Sequence, residues 1–130
     1  MRRGIATAEF AVLLPLLAAL VLGAFDVAQF VETSLRLERA ARAGAQRAIA
    51  DPSDMAAVQA AVIAAWPALT TADVPLPAQF CECAGAAAAC TASCPSGRVT
   101  TITVTARRQL SPLLIGALGE GGGNAVVRLR

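Results

Sequence analysis

The sequence predicts an α+β protein: a long N-terminal transmembrane/amphipathic helix, a second helix and a small antiparallel sheet. Three observations predict it. Phe10 to Phe25 contains no charged residue. From Asp26 to Ala50 apolar residues recur at helical spacing, with charges interleaved on another face. Arg98 to Arg107 alternates with period two and is rich in β-branched residues, the mark of a strand. The chain has 130 residues, so one folded domain is the expectation, and 56% hydrophobic against 15% charged residues is too apolar for an ordinary soluble domain. The excess lies near the N-terminus.

Met1-Arg2-Arg3-Gly4 is a short basic leader. Residues 5–25 follow as the transmembrane helix, interrupted only by Thr7 and Glu9, and at 1.5 Å per residue they span roughly 31 Å, the thickness of a bilayer core. On the far flank Asp26 and Glu32 come first, and no Arg appears until Arg36. The positive-inside bias therefore places the N-terminus in the cytoplasm and residues 26–130 outside it, as a helix plus a small disulfide-bonded α+β domain. A cleaved secretory signal is the rival reading, but Leu22-Gly23-Ala24 has Leu where a small residue is wanted, and the helical pattern does not stop there.

The outer helix is expected to bury Val27, Phe30, Val31, Leu35, Ala41, Ala45, Ala48 and Ile49. Glu32–Arg36 and Glu38–Arg42 form i,i+4 pairs in the favourable order. No Pro occurs between Pro15 and Pro52, so Ile5 to Ala50 reads as one rod of roughly 69 Å. Pro15 removes one helical hydrogen bond; it is either a tolerated membrane proline or a point where the helix can locally melt on packing. Asp51 is expected to cap a second helix from Pro52 to Ala65, with Pro67 ending it, and Met55, Val58, Val62, Ile63 and Trp66 are expected to pack on the first. Thr70 to Gln79 reads as loop, Gly119 to Gly123 as a mobile Gly-rich segment, and Ala125 to Arg130 as a last short strand.

Charge and composition exclude several function classes. Net charge is +2, and only four Phe and one Trp are aromatic, so no nucleic-acid face is indicated. His and Tyr are absent. Ser53, Ser93, Ser96 and Ser111 therefore have no His to activate them, and the carboxylates show no paired spacing. The expectation is a protein that is not an enzyme and holds no cofactor and no metal.

One carboxylate stands out. In Gly4-Ile5-Ala6-Thr7-Ala8-Glu9-Phe10, Glu9 lies inside the apolar helix, where an ionisable group costs several kcal/mol unless it is paired or near the interface. The plainer reading is that Glu9, one turn into the bilayer, reaches the headgroups. The segment resembles the N-terminus of bacterial type IV pilins and pseudopilins: a basic leader, a Gly, then an apolar helix with Glu at its fifth position. It is most similar to the TadE-like family of minor pilins and pseudopilins of the tight-adherence (Flp, type IVb) pilus system, in which an aromatic residue, here Phe10, follows the Glu. The likeness continues through Leu13-Leu14-Pro15-Leu16 and Glu38 to Ala45. The Cys-x-Cys hairpin, the Thr-rich strand and the closing Ala125-Val126-Val127-Arg128 are also similar to that family.

The resemblance implies a pilin-like fold and a role in pilus assembly or initiation. It implies cleavage by a prepilin peptidase between Gly4 and Ile5. Glu9, with Phe10 beside it, would seat one subunit against its neighbour by pairing with the new amine of Ile5, because an unpaired charge in an apolar bundle is so costly. The implied partners are the prepilin peptidase, other pilin-type subunits, the inner-membrane assembly platform and membrane lipid. The implied location is the bacterial inner membrane, single-pass, with the C-terminal domain periplasmic and a place in a surface pilus open to it. An unprocessed single-pass protein with a periplasmic binding domain is the alternative, and a secreted domain released by signal peptidase is a third.

Cys81, Cys83, Cys90 and Cys94 permit three disulfide pairings. Cys81 and Cys83 share one face of a strand and so do not bond to each other. A hairpin turning through Gly85 to Ala89 would nest Cys83–Cys90 inside Cys81–Cys94, and this pairing is expected over the crossed one. A four-Cys zinc site is the alternative, but only Cys90 and Cys94 match a zinc-knuckle spacing. An extracytoplasmic compartment favours disulfides.

Overall fold

The computed structural model describes residues 3–130, with side chains described from Glu9 onward. Met1 and Arg2, which the sequence reading placed in a leader, lie outside the described residues. The elements run α1 (Arg3–Ala50), α2 (Met55–Ala65), β1 (Ala78–Cys83), β2 (Ala86–Ala88), β3 (Arg98–Gln109), a short 3-10 turn (Gly116–Leu118) and β4 (Glu120–Leu129). The strands form one antiparallel sheet in the order β2-β1-β3-β4. The expected α+β architecture of a long helix, a second helix and a small sheet is what the chain adopts.

α1 is a single helix of 48 residues, continuous across Pro15. Its exposed middle carries the two expected ion pairs, Glu32–Arg36 and Glu38–Arg42, each contributing a few tenths of a kcal/mol. Its buried face differs from the one expected. Ala41, Ala45 and Ala48 are buried, but Val27, Val31, Leu35 and Ile49 are exposed, and Leu37, Ala40 and Gly44 face the core in their place. The face is chosen by size: small residues let α2 and the sheet come close, whereas the larger Val and Leu row would hold them off.

The second helix starts at Met55, three residues later than expected. Asp54 is its N-cap, its carboxylate accepting from the Ala57 amide at 2.9 Å. Asp51 is occupied instead by the amide and hydroxyl of Ser53 at 3.1 and 2.6 Å, which closes the turn between the helices. Val58 and Val62 are fully buried against α1, worth roughly 1.5–3 kcal/mol each, and Met55, Ile63 and Trp66 pack around them as expected. A side chain at Gly44 would overlap Val62 and press on Val104 of β3, so α1, α2 and the sheet meet there only because Gly44 is bare.

β3 alternates as its sequence predicts, with Ile102, Val104 and Ala106 buried and Thr101, Thr103 and Thr105 on the other face. The segment before β1 is a loop but not a loose one. Leu69 and Val74 are in the core, the Gln59 side-chain amide donates to the Val74 carbonyl at 2.5 Å, and Asp73 accepts from the amide and hydroxyl of Thr70, each at 2.8 Å. These hydrogen bonds from Thr70, with the Arg108 charge nearby, hold the Asp73 carboxyl below its ordinary value of 3.8.

Gly119 to Gly123 is not a mobile segment: from Glu120 onward it is the first half of β4, paired with β3 from Gln109↔Glu120 to Ala106↔Gly123. The glycines serve proximity. A methyl on Gly123 would overlap the backbone of Leu37 and Glu38, and one on Gly121 would sit 3.2 Å from Thr33 Cγ2. The strand lies almost on the helix backbone.

Two predictions follow from this packing. Gly123→Ala should lower the stability of the detergent-solubilised protein by about 1–3 kcal/mol, since backbone cannot move aside. Gly122→Ala, whose methyl meets nothing within 4 Å, should lie within about 0.5 kcal/mol of wild type in the same denaturant titration. The depressed Asp73 carboxyl stabilises the fold above its ordinary value and loses that contribution as pH falls through it, so acid midpoints should show Thr70→Val less sensitive than wild type to acidification below about pH 4.

Candidate functional site

The first site foreseen from the sequence lies at the start of α1. Gly4 and Ile5 have helical backbone, and their side chains are outside the described set. Glu9 is exposed, and Phe10 is 59% exposed. Beyond them Val12, Leu13, Leu14, Leu16, Val21 and Leu22 are exposed, and at 100° per residue they spread over most of the helix circumference. A helix that is apolar all round and covered by nothing in its own chain belongs in a membrane or a bundle. By length and composition α1 can cross a bilayer, and its apolar stretch is almost wholly uncovered, unlike the core helix of a soluble domain.

Where the apolar stretch ends, a residue noticed in the sequence only as a flanking charge becomes structural. Asp26 is 4% exposed. Its two carboxylate oxygens accept the amides of Leu113, Leu114 and Ile115 at 2.8, 2.7 and 2.9 Å. One acidic side chain thus pins the loop between β3 and β4 to the helix, across 87 residues of sequence. Nothing local in the sequence signals this, because the partners are main-chain amides.

The second foreseen site is the cysteine cluster. All four are in disulfides, and the pairing is the crossed one: Cys81–Cys90 and Cys83–Cys94, with Cα separations of 5.1 and 5.6 Å. The nested pairing expected from the sequence is thereby corrected. It assumed a turn through Gly85 to Ala89, but the hairpin turns on Ala84 and Gly85 alone, whose φ values of 52° and 83° are those of a tight two-residue turn. Cys83 then faces Ala86 and Cys81 faces Ala88, so Cys90 reaches Cys81 first. The chain turns back after Thr91 and brings Cys94 to Cys83. Cys81 and Cys83 do not bond to each other, and no cysteine is left free. Among the described residues no group of His, Cys, Asp or Glu is placed to hold a metal ion.

The start of the helix is where comparison with known proteins is informative. Residues 4–46 match the family model described as TadE-like protein. This is the family that the sequence resembles. The match covers the apolar span and most of the core-facing half of α1, and ends before α2, the cysteines and the sheet. No curated protein and no solved structure matches the chain.

The crossed pairing can be checked by removing cysteines two at a time. Cys83→Ser with Cys94→Ser should leave one disulfide, no titratable thiol and a folded domain weakened by about 2–4 kcal/mol. Cys81→Ser with Cys94→Ser should orphan Cys83 and Cys90 and give two free thiols in a thiol titration.

Proposed function

We propose that this TadE-like protein is a minor pilin or pseudopilin acting in assembly or initiation of a tight-adherence pilus. The observation that carries the reading is one unbroken helix, matched to the family over residues 4–46, whose first half is apolar and uncovered and whose second half is the core of a disulfide-bonded domain. It acts without catalysis. The helix sits in the bacterial inner membrane with its N-terminus cytoplasmic and residues 26–130 periplasmic, where the two disulfides are favoured. A secretory signal would end near Ala24, and α1 has no break there.

In this reading a prepilin peptidase cleaves between Gly4 and Ile5. Glu9 and Phe10, both exposed, are then free to meet a neighbouring pilin-type subunit, the carboxylate taking the Ile5 amine as its partner. The inner-membrane assembly platform receives the subunit. The alternative is an unprocessed single-pass protein whose periplasmic domain binds another envelope component, which the same exposed domain surface would serve.

Intact mass and N-terminal sequence of the protein from its native membrane separate the two. The expected mature chain begins at Ile5, and Gly4→Ala abolishes that species. Glu9→Ala should still be cleaved yet leave fewer assembled pili. A chain that begins at Met1 in cells with an active prepilin peptidase would sink the processed-pilin reading in favour of the static anchor.

A further inference from the structure

The loop that Asp26 holds is an unusual piece of surface. Leu110 to Gly119 carries ten residues without an ionisable group, lying between Arg107-Arg108 on one side and Glu120 on the other. Leu113 and Leu114, at its tip, are 64% and 54% exposed. Single exposed aliphatic residues such as Leu76 and Val126 occur elsewhere in the domain, but here two large ones stand side by side at a loop tip, next to the exposed apolar stretch of α1.

The loop's height on the helix explains the choice of residues. A Cβ on Gly23 would lie 3.8 Å from Ile115 Cδ1 and 3.9 Å from Leu114 Cδ2, so the tip rests beside Gly23, level with the exposed Leu22 and Phe25. Gly23 is itself inside the apolar span. At 1.5 Å per residue it stands roughly 3 Å short of the end of that span at Phe25. The loop therefore reaches down along α1 to the depth at which the helix leaves the bilayer.

Its backbone is prepared for that depth. Irregular backbone is tolerated there only when its polar groups are satisfied within the protein. Asp26 takes the amides of Leu113, Leu114 and Ile115, the Leu110 amide donates to the Gly119 carbonyl at 2.8 Å, and the Leu118 amide to the Ile115 carbonyl at 2.9 Å. Pro112 has no amide to satisfy. These five donors are taken within the protein, and the two leucines are exposed.

We propose that Leu113 and Leu114 enter the outer leaflet of the membrane that α1 spans, giving the domain a second lipid contact beside the helix. The occupant of this apolar tip is lipid at the boundary of acyl chains and headgroups, the environment continuous with the span against which the loop lies. A helix alone lets its domain spin about the helix axis. A second foothold off that axis fixes which face of the domain looks along the membrane and which looks away from it. This inference rests on the membrane-spanning reading of α1.

Depth-dependent fluorescence quenching tests it on the full chain, reconstituted in phosphatidylethanolamine–phosphatidylglycerol vesicles containing lipids brominated near the headgroup. Trp66 is the one native Trp, and its signal is subtracted as the common background. Leu114→Trp, with Leu113→Trp as a second position should the first misfold, should lose emission to the brominated lipid and shift to the blue. Val21→Trp reports whether the helix itself is inserted, and Phe80→Trp, on β1 at the far part of the sheet, should respond only to aqueous acrylamide. Quenching at Val21→Trp without quenching at either leucine position overturns the proposal. Protection of those positions from both lipid bromine and acrylamide overturns it too, in favour of a second protein chain covering the loop. No quenching at Val21→Trp overturns the spanning reading and the proposal with it.

Discussion

The structure depends on the closeness with which α1 can be approached over one face of its outer half. Leu37 is the single large side chain at the centre of that face; Ala40, Ala41, Gly44, Ala45 and Ala48 make the rest of it nearly flat. Van der Waals contact decays steeply with distance, so a flat helix face gains most when its partner is flat as well. β4 meets this condition with glycine at Gly121 and Gly123, and α2 meets Gly44 with Val62. The sheet and the second helix are held by the same strip of α1, and they fit on it together because each contact uses the space left by a missing side chain.

That constraint explains which features were legible in the sequence. The span, the long helix and β3 were legible because each is a local pattern: charge-free length, period 3.6 and period 2. The helix face was misread because hydrophobicity favoured Val27, Val31 and Leu35, whereas packing selected the small residues. Gly119 to Gly123 suggested a mobile segment by propensity, since glycine weakens an isolated strand; as a strand pressed against a helix backbone, glycine is what fits. The second helix began late because Asp51 and Asp54 are equally good caps by type, and Ser53 decides between them by engaging Asp51.

The candidate site divides in the same way. Gly4, Glu9 and Phe10 were picked out by spacing along one helix, and the structure adds only that Glu9 and Phe10 are exposed. The cysteine pairing depended on where a hairpin turns, and Ala84, with φ of 52°, is not a residue that advertises a turn. Asp26 was the least legible of all. Its role is set by three amides far along the chain, and an amide has no letter in the sequence.

The family match ends at Gln46, yet the domain cannot be separated from what is matched. Leu37, Ala40, Ala41, Gly44 and Ala45 lie inside the matched segment and form the surface on which the unmatched remainder folds. Residues after Gln46 contribute a helix, a sheet and two disulfides, and none of these has a core without α1. The segment that would enter the membrane and the segment that carries the core of the outer domain are therefore one continuous helix. Displacing the N-terminal half of α1 along its axis must carry the domain with it, because the helix between Phe25 and Leu37 has no hinge, neither Pro nor Gly, to absorb the movement. Axial movement of the first half of α1 would reach the outer domain along the helix backbone, and Asp26 ties the far loop to the same rod.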